Sequence, residues 1–326
     1  MKKNNILITG GAGYIGSTVA RYLEKNNKIF VIDNLVTGNK KLLKKKYVFY
    51  EQNFGNKKIL KKIIKENKIN IIIHLAASLS VEESQRRKKY YYKNNYLNTK
   101  NLIDVCNDSK FLEKIIFSST CAIYGALKNL KKNVKENTKA KPISYYGYTK
   151  KLCEDYIVKK LKKKYIILRY FNVVGSESSI TCGVVDKKSK QLFANLNRSI
   201  IKKRNHINIY GSDYSTKDGT CIRDYIHVSD IAYIHQLCIE YLNKKRSTIL
   251  NCGYTKGYSV KEIIDKYEKI FKIKITKSFL PRRSGDPAKI ICDNSKIKKK
   301  LNWKPKYNNL EYMIKSSYKW QKKFFL

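Results

Sequence analysis

The chain has 326 residues, enough for one large domain or two modest ones around a sizeable core. Hydrophobic residues make up 42% and aromatic residues 12%, which excludes a wholly disordered or collagen-like chain. Lys and Arg number 70 against 25 Asp and Glu, a formal net charge of +45 that by itself suggests a polyanionic partner.

The composition behind the charge argues otherwise. Ten of the cations are Arg and 60 are Lys; Ile, Asn and Tyr are abundant, and Pro occurs four times. A/T-rich codons write Lys, Asn, Ile, Tyr and Phe, so a biased genome produces this profile in any protein. The lysine runs are scattered (Lys40-Lys41, Lys44 to Lys46, Lys61-Lys62, Lys131-Lys132, Lys162 to Lys164, Lys298 to Lys300) and form no basic tail. A dedicated reader of phosphates concentrates charge on one face and favours Arg, so no specific nucleic-acid partner is expected. The eight cysteines (Cys106, Cys121, Cys153, Cys182, Cys221, Cys238, Cys252, Cys292) include no CxxC and no zinc-ligand spacing. They read as reduced thiols of a cytoplasmic protein without a metal. Ile6 to Ile8 is too short for the apolar core of a signal peptide, and no window of about twenty apolar residues predicts a membrane span.

In chain order, apolar runs at Asn5–Thr9, Lys28–Ile32, Val48–Glu51, Ile69–Leu75, Lys114–Ser118 and Tyr165–Tyr170 read as strands. Amphipathic patterns at 15–25, 57–67, 93–107 and 146–163 read as the helices between them. Buried strands alternating with helices predict an α/β fold, a doubly wound parallel sheet of Rossmann type with ligands at the carboxyl ends of its strands. After about residue 173 the alternation loosens. Loop-like stretches at Ser176–Ser189, Gly211–Gly219 and Arg282–Ala288 surround helical patterns near 190–203, 229–243, 259–271 and 308–323. The expected organisation is a dinucleotide-binding domain over 1–173 and a smaller C-terminal α/β substrate-binding domain over 174–326. A segment near 220–255 is expected to return to the sheet.

Directly after the first strand, Thr9-Gly10-Gly11-Ala12-Gly13-Tyr14-Ile15-Gly16 opens a helix. Glycines there permit a tight turn and close backbone approach, and the helix N-terminus receives a pyrophosphate. Asp33 ends the second strand, where an acid hydrogen-bonds a ribose 2′-hydroxyl and repels a 2′-phosphate, favouring NAD over NADP. A turn or cap role for Asp33 is the alternative. His74 reads as a packed strand-end residue without a chemical role.

Tyr146 and Lys150 stand at i and i+4 on a helix, so the ammonium lies one turn from the phenol and would favour the phenolate as a general base. The bare YxxxK spacing carries no weight, because it occurs six times in this chain. Position selects Tyr146: it opens the helix after the fifth strand, whose carboxyl end presents Thr120 as a hydroxyl partner.

These motifs together resemble the extended short-chain dehydrogenase/reductases, and among them the UDP-glucose 4-epimerase family. The resemblance runs through TGGAGYIGS (9–17), DN (33–34), HLAASLSVEES (74–84), YYKNN (91–95), FSSTCAIYG (117–125), YGYTK (146–150), LRYFNVVG (168–175), NCGYTKGYSV (251–260) and PRRSGDPA (281–288). Most discriminating is IYGSDYSTKDGTCIRDYIHVSDIA at 209–232. The resemblance implies that Tyr146 takes the proton of the sugar 4-hydroxyl while the C4 hydride passes to a tightly held NAD. Lys150 would lower the Tyr146 pKa and hold the nicotinamide ribose, and Thr120 would bind the reacting oxygen. The 4-keto sugar would then turn over and take the hydride back on its other face, interconverting UDP-glucose and UDP-galactose.

Around NAD the resemblance places Gly10, Gly13, Tyr14, Ile15, Gly16, Asp33, Asn34, Asn53, Phe54, Leu75, Ala76, Asn94 and Phe171, beside Thr120, Tyr146 and Lys150. Around the UDP-hexose it places Asn172, Gln191, Leu192, Asn208, Ile209, Tyr210, Arg223, Arg283 and Asp286. Arg223 and Arg283 make independent sense as fork-shaped partners of a diphosphate in a chain where Arg is rare, with a structural ion pair as the alternative for each. Three positions depart from the family pattern. Asn53 stands where an Asp is usual near the adenine, Leu79 replaces a Lys found near the cofactor in some members, and Ile290 replaces a bulky Tyr that limits sugar size. The last leads us to expect that N-acetylated UDP-hexoses also fit. Cys121-Ala122 occupy the places of the Asp-Glu pair of 4,6-dehydratases and cannot transfer that proton, which argues against dehydration. A basic scaffold on a disused dehydrogenase fold is a reading from another class, supported only by the charge. The resemblance also implies a homodimer formed through the helices near 93–107 and 146–163.

Overall fold

Near-continuous runs of Ile, Leu, Val and Phe build strands buried on both faces, the signature of a parallel sheet covered by helices on each side. The computed structural model describes residues 3–127, 129, 132–186 and 189–325; Lys131 and positions 187–188 of the 176–189 stretch lie outside them. The first half runs β1 (Asn4–Thr9), α1 (Tyr14–Leu23), β2 (Asn27–Asp33), β3 (Val48–Glu51), α2 (Lys57–Glu66) and β4 (Ile71–His74). Two short helices follow, α3 (Val81–Arg86) and α4 (Lys88–Tyr91), and a π-helical turn at Tyr92–Leu97 runs into α5 (Asn98–Asp108). Next come β5 (Lys114–Thr120), α6 (Tyr145–Lys160) and β6 (Lys164–Tyr170). The second half contains β7 (Asn172–Val174), α7 (Leu192–Ile201), β8 (His206–Tyr210), β9 (Ile222–His227), α8 (Val228–Lys244), β10 (Thr248–Cys252) and β11 (Gly257–Ser259). It closes with α9 (Val260–Phe271), β12 (Thr276–Leu280), β13 (Lys289–Ile290), α10 (Ser295–Leu301) and α11 (Leu310–Phe325).

A seven-stranded sheet in the order β10-β6-β5-β4-β1-β2-β3 forms the centre, every pair parallel. Strand order reverses between β1 and β4, and a ligand crevice opens at the carboxyl ends of such a switch point. One apolar cluster joins this sheet to α1 and α8 and continues into α7 and α9; a second packs the other face against α2, α5 and α6. The segment 248–252 supplies the edge strand beside β6. Outside the main sheet, β7, β11 and β13 gather around β9, and β8 pairs with β12.

The regular half follows the sequence expectation closely. β3 coincides with it, and β5 reaches two residues further, to Thr120. The run at 69–75 shortens to Ile71–His74, because its ends turn away into loops. The expected helix at 93–107 is a π-helical turn followed by α5, a wound segment that places Asn94 and Asn95 toward the site. In the second half the short strands β7 to β9 and β11 to β13 have no counterpart among the sequence expectations. They run two to six residues, too short for periodicity to reveal. Among the described residues no helix is long and apolar enough to cross a membrane.

Candidate active site

The cofactor end is built from backbone. Gly10 adopts φ +70, and a side-chain carbon there would fall 2.8 Å from the Ala76 backbone. At Gly16 it would fall 2.3 Å from the Gly10 carbonyl oxygen, so the loop closes on itself only with hydrogen at both positions. Gly13 precedes α1 without a side-chain cap and no acid occupies the first turn, which leaves helix N–H groups facing the crevice for an anion. Tyr14 donates its hydroxyl to the Gly175 carbonyl at 2.6 Å and ties the loop to β7, while Ile15 packs against the core.

Asp33 accepts the Ala12 N–H at 3.0 Å and the Leu35 N–H at 2.9 Å. Burial raises its carboxyl pKa, and these two bonds pull it back. It therefore does close the turn, and each oxygen keeps a lone pair for a ribose hydroxyl. Asn34 accepts from Val36 N–H at the exposed rim. Asn53 accepts from Gly55 N–H at 2.8 Å and from the Asn98 amide at 3.3 Å, so its side chain is held in place without a charge. Phe54 packs its ring on His74 with centroids 4.9 Å apart. His74 lies between the hydroxyls of Thr9 (2.6 Å) and Thr99 (2.9 Å), with burial pushing its pKa down to about 3. That environment makes it a neutral packed residue, as its sequence position suggests. Leu75 and Ala76 carry the chain past Gly10, and Leu79 is exposed. Asn94 donates to Ser78 Oγ at 3.0 Å, and Asn95 brackets the same serine through its N–H and carbonyl.

The catalytic end is built from side chains. Ser144 caps α6 by accepting the Gly147 N–H, and Ser84 and Gln85 from α3 accept the N–H groups of Tyr146 and Tyr145. Tyr146 is thus held at the first turn, buried, with its phenol close enough to the Thr120 hydroxyl for that group to lower its pKa. Thr120 itself caps the turn Cys121–Tyr124 by accepting from Ala122 N–H. Lys150 lies one turn on, 2% exposed, and donates its ammonium to the Ser118 carbonyl at 2.7 Å over the Phe117 ring.

The pKa pattern differs from the sequence expectation. Burial raises the Tyr146 phenol, and the nearby Thr120 hydroxyl draws it back. Lys150 itself is lowered to about 8, because burial outweighs Cys153 and Glu154, which raise it. The ammonium sits one turn away, with one of its three donors on the Ser118 carbonyl.

Across the crevice, Arg223 on β9 pairs with Asp286 at 3.2 Å and donates to the Ile222 carbonyl. The ion-pair alternative therefore describes this Arg as the structure stands. Arg283 lies over the Tyr210 ring at 3.7 Å, and its buried Nε has no partner. The loop carrying it reaches α6: a side-chain carbon at Gly285 would fall 3.3 Å from Ser144. Asn172 and Asn208 are exposed on β7 and β8, and Gln191 and Leu192 open α7 without a side-chain cap. Ile209 points into the core. Phe171 and Ile290 share a buried cluster with Ile123, Tyr124 and Cys292. Ser78, Ser84, Ser118 and Ser144 belong to the site although sequence reasoning passed over them. Ser144 alone carried a signal, a helix-capping residue immediately before the Tyr146 turn.

The glycine cradle, the uncapped helix and Asp33 fit a dinucleotide, and the unpartnered Arg283 Nε fits an anionic ligand beside it.

Residues 6–253 match the family described as "NAD dependent epimerase/dehydratase family". The chain is 37% identical to the UDP-glucose 4-epimerase of Lactobacillus helveticus over 322 residues, 97% of each protein. Its fold is similar to that of the UDP-glucose-4-epimerase from Stenotrophomonas maltophila with bound NAD and formylated UDP-arabinopyranose (TM-score 0.91, 29% identity, 99% of each chain). It is also similar to the UDP-Glc/GlcNAc 4-epimerase from Campylobacter jejuni (TM-score 0.82, 39% identity, 98% of this chain and 99% of that one). The doubly wound fold and the backbone cradle thus define a dinucleotide-dependent enzyme of the α/β class. This chain belongs to the NAD dependent epimerase/dehydratase family.

Proposed function

We propose that this chain is a UDP-sugar 4-epimerase that interconverts UDP-glucose and UDP-galactose, with Tyr146 as its base. The observation that carries the reading is the buried Tyr146–Thr120 pair, with Lys150 one turn away, at the carboxyl end of β5 beside the glycine cradle. Gly10, Gly13, Gly16, Asp33, Asn53 and Lys150 would hold NAD, which when bound supplies the acceptor and donor for the electron pair of the sugar C4–H bond. Tyr146 takes the 4-hydroxyl proton, and Thr120 holds the oxygen as it becomes a ketone. Lys150 keeps positive charge near the phenolate. Arg283 and Arg223 hold the diphosphate while the 4-keto sugar turns over; C4 then takes its hydride back on the opposite face, and Tyr146 returns the proton to the C4 oxygen.

A second reading widens the sugar range to N-acetylated UDP-hexoses. Ile290 lies in register with Arg223 and shares a buried cluster with Phe171, so an aliphatic side chain stands at that position. The homodimer also belongs here. Ile103 and Cys106 of α5 are core, but Leu97, Tyr148 and Val158 are exposed on the expected helices and leave an apolar face for a second copy. A cytoplasmic location accords with eight free thiols.

The test is product analysis with UDP-galactose, UDP-N-acetylgalactosamine and UDP-glucuronate. Conversion of the first to UDP-glucose is expected. Conversion of UDP-glucuronate alone would replace the reading, and an inert UDP-N-acetylgalactosamine would remove the wider range.

A further inference from the structure

Three consecutive residues at the end of β5 are tied to three successive turns of α6. Thr120 meets Tyr146, the Ser118 carbonyl takes the Lys150 ammonium at 2.7 Å, and Ser119 donates its hydroxyl to Glu154. Tyr146, Lys150 and Glu154 stand at four-residue intervals, one face of one helix. The last of these ties rests on a buried ion pair. Glu154, 2% exposed, receives Arg169 of β6 through two bonds, Nε to Oε1 at 3.0 Å and Nη2 to Oε2 at 2.7 Å. The remaining guanidinium nitrogen donates to the Tyr124 hydroxyl and the Glu136 carbonyl, both at 2.8 Å. Tyr124 ends the turn that Thr120 caps and donates on to Asn251 at 2.6 Å. The pair therefore grips both sides of Thr120, the strand before it and the turn after it.

A buried ion pair is weak evidence for stability, since well-packed apolar groups of the same volume often serve as well. Its fork geometry fixes direction and distance, which apolar packing does not. We propose that Glu154 and Arg169 are positioning residues of the epimerisation site: their pair locks the end of β5 against α6 and so holds Thr120 and Lys150 in place beside Tyr146. The inference rests on the catalytic reading above. Neither residue touches substrate; they act through Ser119 and Tyr124.

The test compares the whole protein with E154Q and with the double variant E154M/R169M, which removes the pair without leaving a lone buried charge. UDP-galactose turnover should fall about tenfold or more in both, with KM within about twofold, since a small misplacement of reacting groups is costly. An unchanged kcat in the folded double variant would overturn the proposal, as would a kcat loss matched by a rise in KM. The second readout needs no turnover: the titration of the Lys150 ammonium, followed by NMR of labelled lysine and assigned with K150M. The groups that act on it are Cys153 and Glu154 on its own helix, with Arg169 behind Glu154; the ammonium in turn faces His74 of β4, which it helps keep neutral. Loss of the Glu154 charge leaves Arg169 unpaired and should move that titration to lower pH in E154Q; the double variant should stay near the unmodified protein. An unmoved titration in E154Q refutes the coupling. If the unmodified protein converts no UDP-sugar, the catalytic reading fails, and the titration still decides whether the pair acts on Lys150.

Discussion

The two ends of the crevice are made of different material. The cofactor end is backbone: glycines 10, 13 and 16, an uncapped helix terminus, and one carboxylate that braces the loop. The candidate catalytic end is side chain: a phenol and an ammonium positioned by Ser84, Ser144 and Ser118, beside the Thr120 hydroxyl. A backbone cradle fails by steric exclusion, all at once, whereas a side-chain site fails one chemical step at a time. Damage to the first should abolish binding, and damage to the second should spare it.

The largest expected effect follows from that contrast. Gly16→Val places carbon 2.3 Å from the Gly10 oxygen, so NAD binding measured by calorimetry should be lost, with a stability cost of about 1–3 kcal/mol. Retained affinity would mean that the loop is not a cradle. Next is Arg283→Met, which removes the guanidinium whose Nε is unpartnered. KM for the UDP-sugar should rise about 10- to 100-fold with kcat little changed, given about 1.5–3 kcal/mol for a charge-assisted bond. A fall in kcat alone would move Arg283 from the binding side to the chemistry.

Stability against pH gives a middle-sized effect. Burial lowers His74 to about 3 and both His227 and His235 to about 4. The unfolded chain therefore binds protons that the fold excludes once pH drops below about 6.5, and stability falls from there toward about 4. Asp224, raised to about 7 by burial, works in the opposite direction between about 4 and 7. Asp33 and Asp230, raised by smaller shifts, side with Asp224, but the large histidine shifts outweigh them, so Tm should rise from pH 4.5 to about 6.5, and a flat profile would show that the histidines are not buried neutral. The smallest effect concerns charge. A formal net charge of +45 strains the fold by self-repulsion, so Tm should increase by a few degrees between low and physiological ionic strength. A falling Tm would point to salt bridges as the dominant surface term.

Legibility in the sequence divides along the same line. The cradle was readable because backbone demands select residue type: only glycine fits at 10 and 16, and the motif states that directly. The strands of the main sheet were readable because burial on both faces writes unbroken apolar runs, as in Ile71–His74. Tyr146 is singled out by its position in the alternation, opposite Thr120 at the end of the fifth strand, since the Tyr146–Lys150 spacing is common in this chain. The serines that hold Tyr146 and Lys150 from other elements were not readable, because Ser84 and Ser118 act through contacts across 62 and 32 residues. The raised phenol likewise depends on burial, which the i, i+4 rule does not contain. Arg223 and Arg283 look alike as rare guanidiniums; only the fold separates one paired with Asp286 from one with a free nitrogen.

The most direct test of the central claim is UDP-galactose turnover by the purified protein beside its Tyr146→Phe variant, with NAD content and Tm recorded for both. The account predicts conversion to UDP-glucose by the unmodified protein and a loss of about 10²-fold or more in the variant, which keeps its NAD and its fold. Equal turnover by the two proteins would contradict it.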